Sequence, residues 1–240
     1  MRHDFIHILS CIRSGGSLKL RVLDAVDDQR VTEGLLDCAC GAVYPIVRSI
    51  PRMLTNAFEL NPDFANKYHD HLPADHQVNE PGQTSKSAER LSKKTQRNFG
   101  YQWTTFSEMS CDFGDNFWNY LHPSTPESFQ GRVGLDAGCG FGRHIYHAAK
   151  YAKRMVGMDF SQAIESPHEN TKHLANVDLV QADSYAPPFA PGSFDFVYSV
   201  GVLHHLPDPE KGVQTLVPLV KDDGAFSLWV YSKTRWAINY

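Results

Sequence analysis

Hydrophobic and polar positions follow two different periods in the two parts of this chain. From residue 131 onward, short apolar runs typical of buried strands alternate with stretches of helical spacing. Five strands are predicted there, over residues 133–137, 155–159, 177–182, 194–200 and 225–231. Helices are predicted over residues 143–151, 161–175 and 210–220. Strands that alternate with helices build a parallel sheet covered on both faces, so the pattern predicts a doubly wound, mostly parallel α/β fold.

The first 57 residues show short alternating runs instead of helical spacing. Apolar Leu18, Leu20 and Val22 alternate with charged residues, which predicts a strand. A second β-rich run follows, and Pro45 within it indicates the edge of a sheet, because proline cannot donate a ladder hydrogen bond. We therefore expect a small N-terminal β domain over residues 1–57.

A polar segment separates this domain from the α/β part. Residues 58–85 are rich in Pro, His, Asp and Asn, a composition typical of a linker, and the pattern then becomes amphipathic. We expect residues 58–105 to form a linker and a helical segment, and residues 106–240 to form the main domain.

Composition narrows the class of protein. With 42% hydrophobic and 21% charged residues, the chain has the composition of a soluble globular protein. A net charge of −4 gives no strong signal for nucleic acid. No run approaches the ~20 apolar residues of a membrane-spanning helix, and the N-terminus is a poor signal peptide, so we expect a cytoplasmic protein. Five cysteines, an odd number, fit reduced thiols better than disulfides.

A glycine-rich segment follows the first strand of the main domain and opens its first helix. Gly138, Gly140 and Gly142 are spaced G-x-G-x-G, and Asp136 precedes them. Glycines let the backbone turn tightly and approach a ligand closely. Dinucleotide-binding loops are spaced G-x-G-x-x-G and hold a pyrophosphate, which a carboxylate at Asp136 would repel. The segment favours a cationic ligand, such as the ammonium or sulfonium of S-adenosylmethionine (SAM).

Two more acids end the next two predicted strands. Asp159 is placed to accept hydrogen bonds from both hydroxyls of a ribose, and Asp183 from an adenine amino group. A single Asp at a strand end is more often a helix cap or a turn former. Three acids in order on a βαβαβ pattern favour a nucleoside-binding cleft at the carboxyl ends of the strands.

These motifs together resemble those of a known family. Residues 131–231 look like a class I SAM-dependent methyltransferase domain of the small-molecule type, which has a Rossmann-like fold. Residues 135–142 resemble its first motif and residues 156–161 its second. Residues 181–195 and 199–206 resemble the stretches that follow. The resemblance implies methyl transfer from SAM to a small-molecule acceptor.

The resemblance also implies where SAM would bind. The implied contacts are Asp136, Gly138, Gly140, Gly142, Asp159, Phe160, Asp183, Ser184, Ser199 and Val200. Gly138 and Gly140 would lie against the methionyl part. Asp159 would hold the ribose and Asp183 the adenine, while the last two residues would lie near the sulfonium.

The candidate catalytic residues are His204 and His205, just beyond the fourth strand. A histidine titrates near neutral pH, as a general base should, but packing or starting a helix is the competing interpretation. His144 and His147 are expected at the surface. Two alternative functions stay open: a SAM-binding or scaffold protein without turnover, and a nicotinamide-dependent oxidoreductase, which the glycine spacing disfavours.

The N-terminal zone is similar to a small zinc-ribbon-like domain that precedes some methyltransferases. The similarity covers about residues 9–54, but Ser14 stands where a partner of Cys11 would be, and Cys38 and Cys40 are too close for a usual knuckle. We expect a degenerate ribbon without metal, and these three cysteines are the candidates for ligands if a metal binds.

The fifth strand ends close to the end of the chain. Methyltransferases of this class carry two further strands, whereas nine residues follow Tyr231 here. We expect a fold that lacks the last two strands: a fragment, a truncated gene, or a chain with a pairing partner. The open sheet edge or the N-terminal domain would then support self-association or binding of a protein partner. Tyr101 and Trp103 are expected to cover the cofactor or to pack in the core.

Overall fold

One sheet of nine strands runs through the part of the chain that the structure, a computed structural model, describes: residues 1–27, 30–73 and 114–231. The strands are β1 (Leu18–Asp27), β2 (Arg30–Cys38), β3 (Val43–Val47), β4 (Ile50–Met53), β5 (Val133–Ala137), β6 (Arg154–Asp159), β7 (Val177–Ala182), β8 (Phe194–Val200) and β9 (Val220–Trp229). Their spatial order is β1-β2-β3-β4-β7-β6-β5-β8-β9.

The five strands β7, β6, β5, β8 and β9, neighbours in this order, form a parallel sheet with the predicted doubly wound topology. The helices are α1 (Ala57–Leu60), α2 (Pro62–Lys67), α3 (Gly114–Leu121), α4 (Arg143–Ala149), α5 (Glu165–Thr171) and α6 (Pro209–Leu216). The chain leaves β5 for β6 on one side and later returns to β8 on the other. This switch point opens a crevice at the carboxyl ends of the central strands. The Rossmann-like α/β prediction is confirmed.

The N-terminal strands extend the same sheet. β1 to β4 are antiparallel, and β4 then pairs in parallel with β7, where Arg52 lies opposite Gln181 and Met53 opposite Ala182. Arg52, only 2% exposed, also forms an ion pair of 2.7 Å with Glu165 at the start of α5. The predicted β-rich N-terminal region is present, and it shares a sheet with the α/β part.

Pro45 does not mark the edge of a sheet, and that expectation is wrong. β3 lies between β2 and β4, with Pro45 opposite Leu35 of β2. On its other side, β4 pairs only with Ile46 and Val47. The sheet therefore tolerates the missing N–H because β4 does not extend as far as the proline.

The fifth core strand begins earlier than residue 225. Phe194 of β8 lies opposite Val220, and two residues later Phe196 lies opposite Ala225. β9 therefore carries extra residues that bulge from the ladder, at the polar stretch over residues 221–224.

His144 and His147 are buried rather than at the surface, each 6% exposed. Both rings stack on Phe117 of α3, with centroids 5.6 and 6.3 Å apart. The i, i+3 spacing places both rings on one helix face, and α3 covers that face.

Some expectations lie outside the described residues. Tyr101 and Trp103 belong to this group, as does most of the predicted linker and helical segment over residues 58–105. Within the described ranges, no helix combines the length and hydrophobicity needed to cross a lipid bilayer.

Candidate active site

A cavity of about 470 Å³ opens at the carboxyl ends of β5 to β8. Its lining includes Gly138, Cys139, Gly140, Phe141, Arg143, Asp159, Phe160, Ser161, Asp183, Ser184, Tyr185, Val200, Gly201, Val202, His205, Leu206 and Pro207. Ligand pockets commonly enclose ~300–1,000 Å³, so the cavity has the size of a small-molecule site. The sequence motifs from four separate strands meet here.

The glycine loop forms one wall of the cavity. The backbone N–H of Gly138 donates to the Met158 carbonyl at 2.7 Å, which ties the loop to β6. Gly138 has a φ of +92°, and a Cβ atom there would lie 2.5 Å from Val202. Only glycine meets both conditions, because other residues strain at positive φ and would clash.

Asp159 joins the ends of β5 and β6. One carboxylate oxygen accepts from the Gly140 N–H and the other from the Ser161 N–H, both at 2.8 Å. A carboxylate has about four lone-pair sites, so two stay available to the hydroxyls of a ligand. The side chain therefore shapes the glycine loop and also faces the cavity.

Asp183 follows β7 directly and lines the cavity. Its carboxylate accepts from the Tyr185 N–H at 2.9 Å, and burial raises the pKa of the carboxyl group. The Tyr185 hydroxyl donates to the Asp208 carbonyl at 3.0 Å, which fixes this rim against the start of α6. Ser184 and Tyr185 also line the cavity beside Asp183.

Asp136 lies beneath the glycine loop and outside the lining. It is 1% exposed, and the Tyr198 hydroxyl donates to it at 3.1 Å. Burial raises the pKa of Asp136 to about 8, so the group holds its proton at neutral pH. Asp136 therefore cannot repel a pyrophosphate as we expected, because the side chain is both neutral and covered.

Two further predicted residues support the lining without joining it. Ser199 is fully buried, and its hydroxyl donates to the Ala137 carbonyl at 2.8 Å. Gly142, at a φ of +94°, is the residue before α4. Val200 and Phe160 do line the cavity.

The two adjacent histidines differ in position. His205 lines the cavity, whereas His204 packs beside it with its ring centroid 4.0 Å away. Both ring nitrogens of His204 are buried and have no hydrogen-bond partner among the described residues. Burial lowers the pKa of both histidines, and for His204 the neighbouring His205 lowers it further. Both rings are therefore neutral at pH 7, and His205 is the one that can reach a ligand.

Sequence reasoning missed an aromatic wall, formed by Tyr120, Trp229 and Tyr231, that lines the cavity. The Tyr120 and Trp229 centroids are 4.6 Å apart, and those of Trp229 and Tyr231 are 5.0 Å apart. Trp229 and Tyr231 are two residues apart at the carboxyl end of β9, and that alternation on one face was the available signal. Tyr120 on α3 had none.

Together, the doubly wound sheet, the glycine loop and the acids at the strand ends form a Rossmann-like α/β fold with a cleft at the carboxyl ends of its strands. Residues 135–228 match the family model described as a methyltransferase domain. The matched segment contains most of the cavity lining, and SAM is the cofactor that this type of enzyme domain uses.

Relatives match a little over two fifths of the chain. The tRNA U34 carboxymethyltransferase of Aeromonas hydrophila is 35% identical over 104 residues, 41% of this chain and 31% of its own. The ubiquinone biosynthesis O-methyltransferase of Thiobacillus denitrificans is 34% identical over 109 residues, 43% of this chain and 44% of its own. The crystal structure of YcgJ from Bacillus subtilis covers 41% of this chain and 43% of its own, at 28% identity and a TM-score of 0.40. The chain spans less than half the length of these relatives.

Proposed function

We propose that this chain is a SAM-dependent methyltransferase that acts on a small-molecule acceptor. The observation that carries the proposal is the cavity, in which the glycine loop, Asp159 and Asp183 line one continuous space. The two carboxylates suit a nucleoside, and the glycine loop suits a methionyl group.

The lining residues divide between these two parts. Gly138 and Gly140 line the cavity with backbone and would contact the methionyl part. The free lone pairs of Asp159 would hold the ribose hydroxyls, and Asp183 would bind the adenine amino group. Phe160 and Ser184 lie beside them along the same wall.

The remaining lining would receive the acceptor. Bound SAM supplies a methyl group that its positively charged sulfur has already activated. The protein then has to hold the acceptor in line with that methyl group, and such orientation is worth ~7–11 kcal/mol. Tyr120, Trp229 and Tyr231 line this side with aromatic rings, whose faces attract cations.

His205 is the candidate general base for an acceptor that must lose a proton. Its ring lines the cavity and is neutral at pH 7, so it can accept a proton there. A general base contributes ~10²–10⁴-fold to the rate. His204 supports the His205 ring by packing against it.

Calorimetry with SAM, S-adenosylhomocysteine and NADH tests the proposal on the full chain, followed by turnover assays with pools of small-molecule acceptors. We expect both SAM and S-adenosylhomocysteine to bind, NADH not to bind, and S-adenosylhomocysteine to form with some acceptors. Binding of SAM without turnover on any pool would favour the scaffold alternative. Binding of NADH alone would favour an oxidoreductase.

A further inference from the structure

Three cysteine side chains from distant parts of the N-terminal region meet at one point. The sulfur atoms of Cys11, Cys38 and Cys40 all lie within 4.8 Å of one another, and all three are free thiols. Cys11 precedes β1, Cys38 ends β2, and Cys40 lies in the turn between β2 and β3. The pairing of β1 with β2 places Leu18 opposite Cys38 and so brings the Cys11 loop to this turn.

The distance between the sulfurs matches a tetrahedral metal site. Zinc binds thiolates at about 2.3 Å, so two sulfurs on one tetrahedron lie about 3.8 Å apart. The Cys11 and Cys40 sulfurs are 3.7 Å apart. The three sulfurs therefore need little movement to share one ion.

The surroundings of the sulfurs supply hydrogen bonds and a fourth position. The Tyr44 hydroxyl lies 3.2 Å from the Cys11 sulfur, and the Cys40 N–H donates to the Cys38 sulfur at 3.5 Å. Such outer partners orient metal ligands. The Ser14 hydroxyl lies 3.4 Å from the Cys38 sulfur, beside the three sulfurs.

We propose that Cys11, Cys38 and Cys40 bind one thiophilic divalent cation, Zn²⁺, with its fourth position on the Ser14 side filled by that hydroxyl or by water. Three thiolates select soft or borderline cations over Mg²⁺ and Ca²⁺. The expectation of a metal-free ribbon rested on spacing along the chain, which does not register that Cys11 joins the Cys38–Cys40 turn in space. Cys40 is exposed, so an ion reaches the cluster from solvent.

The bound ion would also brace the cleft. The N–H of Ser10, next to Cys11, donates to the Pro188 carbonyl at 2.8 Å, and Leu9 pairs with Phe189. These two partners belong to the loop that follows Asp183. An ion on Cys11 would thus fix the segment that holds this rim of the cavity.

Metal titration of the full chain tests the proposal without any activity assay. The protein is stripped with a chelator under reducing conditions and titrated with Co²⁺, which Zn²⁺ then displaces. We expect stoichiometric binding, thiolate-to-cobalt charge-transfer absorption and the visible bands of a tetrahedral ion. A chain that stays folded by circular dichroism but takes up no stoichiometric Co²⁺ or Zn²⁺ overturns the proposal.

Substitutions assign the ligands. Cys40→Ser removes the exposed thiol and should weaken Zn²⁺ binding by more than the roughly 10–100-fold that loss of an outer partner costs. Ser14→Cys should tighten binding and strengthen the charge-transfer absorption. Val26→Cys is the matched control, since it adds a thiol at a 73% exposed position near the opposite end of β1. If Ser14→Cys and Val26→Cys change Zn²⁺ affinity equally, the fourth ligand position does not lie on the Ser14 side. If Cys40→Ser leaves Zn²⁺ affinity unchanged, the proposed metal site is wrong.

Discussion

The Tyr198 hydroxyl donates a hydrogen bond of 3.1 Å to the Asp136 carboxyl group, and both side chains are 1% exposed. They come from neighbouring parallel strands, β8 and β5, where they occupy opposed positions in the ladder. The bond satisfies one oxygen of a carboxyl group that has lost its contact with water. Burial dominates, so the group is neutral at pH 7 and forms the floor of the glycine loop.

A buried neutral acid makes stability depend on pH. From about pH 4, where an unfolded Asp ionises, to about pH 8, only the folded chain keeps this proton. The free energy of unfolding therefore falls as pH rises through this range, by up to about 1.4 kcal/mol per pH unit from this group. Asp136→Asn removes the contribution, so its unfolding free energy should fall less steeply. Urea unfolding at a series of pH values measures the two slopes.

The control for this comparison is Asp223→Asn, at an exposed position on β9. It should keep the wild-type slope, because it leaves the buried Asp136 in place and changes only an exposed side chain. Parallel lines for wild type and Asp136→Asn would show that Asp136 is ionised in the folded protein.

Substituting Asp159 should weaken SAM binding. The N–H groups of Gly140 and Ser161 each donate to one carboxylate oxygen of Asp159. In Asp159→Asn, one of these two N–H groups faces an amide N–H₂ instead and loses its acceptor. Hydrogen bonds to charged groups are worth ~1.5–3 kcal/mol, so we expect a loss in affinity of roughly ten- to hundredfold. Calorimetry with S-adenosylhomocysteine gives the value. If affinity matches that of Asp223→Asn, Asp159 does not hold the ligand.

The two histidines should respond differently to substitution. His205→Gln should lower kcat by ~10²–10⁴-fold while SAM affinity stays unchanged, provided that the acceptor must lose a proton. Because burial lowers the pKa of His205, the acidic limb of the wild-type kcat profile should lie below about pH 6.5. His204→Gln should cost less, since that ring does not line the cavity. A profile that is unchanged in His205→Gln would exclude this residue as the base.

The ion pair between Arg52 and Glu165 should be important for stability. Glu165→Ala leaves the buried Arg52 guanidinium without its carboxylate, and breaking a buried pair in this way costs about 3–5 kcal/mol. Adding Arg52→Met to that variant removes the stranded charge and should recover much of the loss. Urea unfolding of the single and double variants measures both effects.

Glu169→Ala provides the control on the same helix. Glu169 is exposed and pairs with Lys172, and such surface substitutions usually change stability by less than about 0.5 kcal/mol. If the double variant Glu165→Ala/Arg52→Met is no more stable than Glu165→Ala alone, the loss of stability comes from the helix rather than from the unpaired Arg52.

The core strands could be predicted from sequence because parallel strands buried on both faces are short apolar runs. The glycine loop, Asp159 and Asp183 could be placed for a related reason: each directly follows such a run. The pairing of β4 with β7 could not be predicted. It joins residues about 130 positions apart through a short ladder, and nothing local encodes that register.

The ionisation state of Asp136 could not be predicted from the sequence either. It depends on burial and on Tyr198, a residue 62 positions later that carries no motif. The prediction that His144 and His147 lie at the surface was wrong for a different reason. Spacing gives the shared face of a helix, whereas the partner Phe117 that covers this face comes from a segment without a recognisable pattern.

The parallel contact between β4 and β7 has a practical consequence for anyone who trims the protein. A shortened version starting at residue 58 would leave the β7 edge without its partner strand at Gln181 and Ala182, next to apolar side chains that Met53 now covers. Such an unprotected margin recruits other extended chains, so the excised piece should precipitate or form aggregates rather than behave as a minimal enzyme. The first four strands thus cover an otherwise open sheet edge on one side of the methyltransferase-like part.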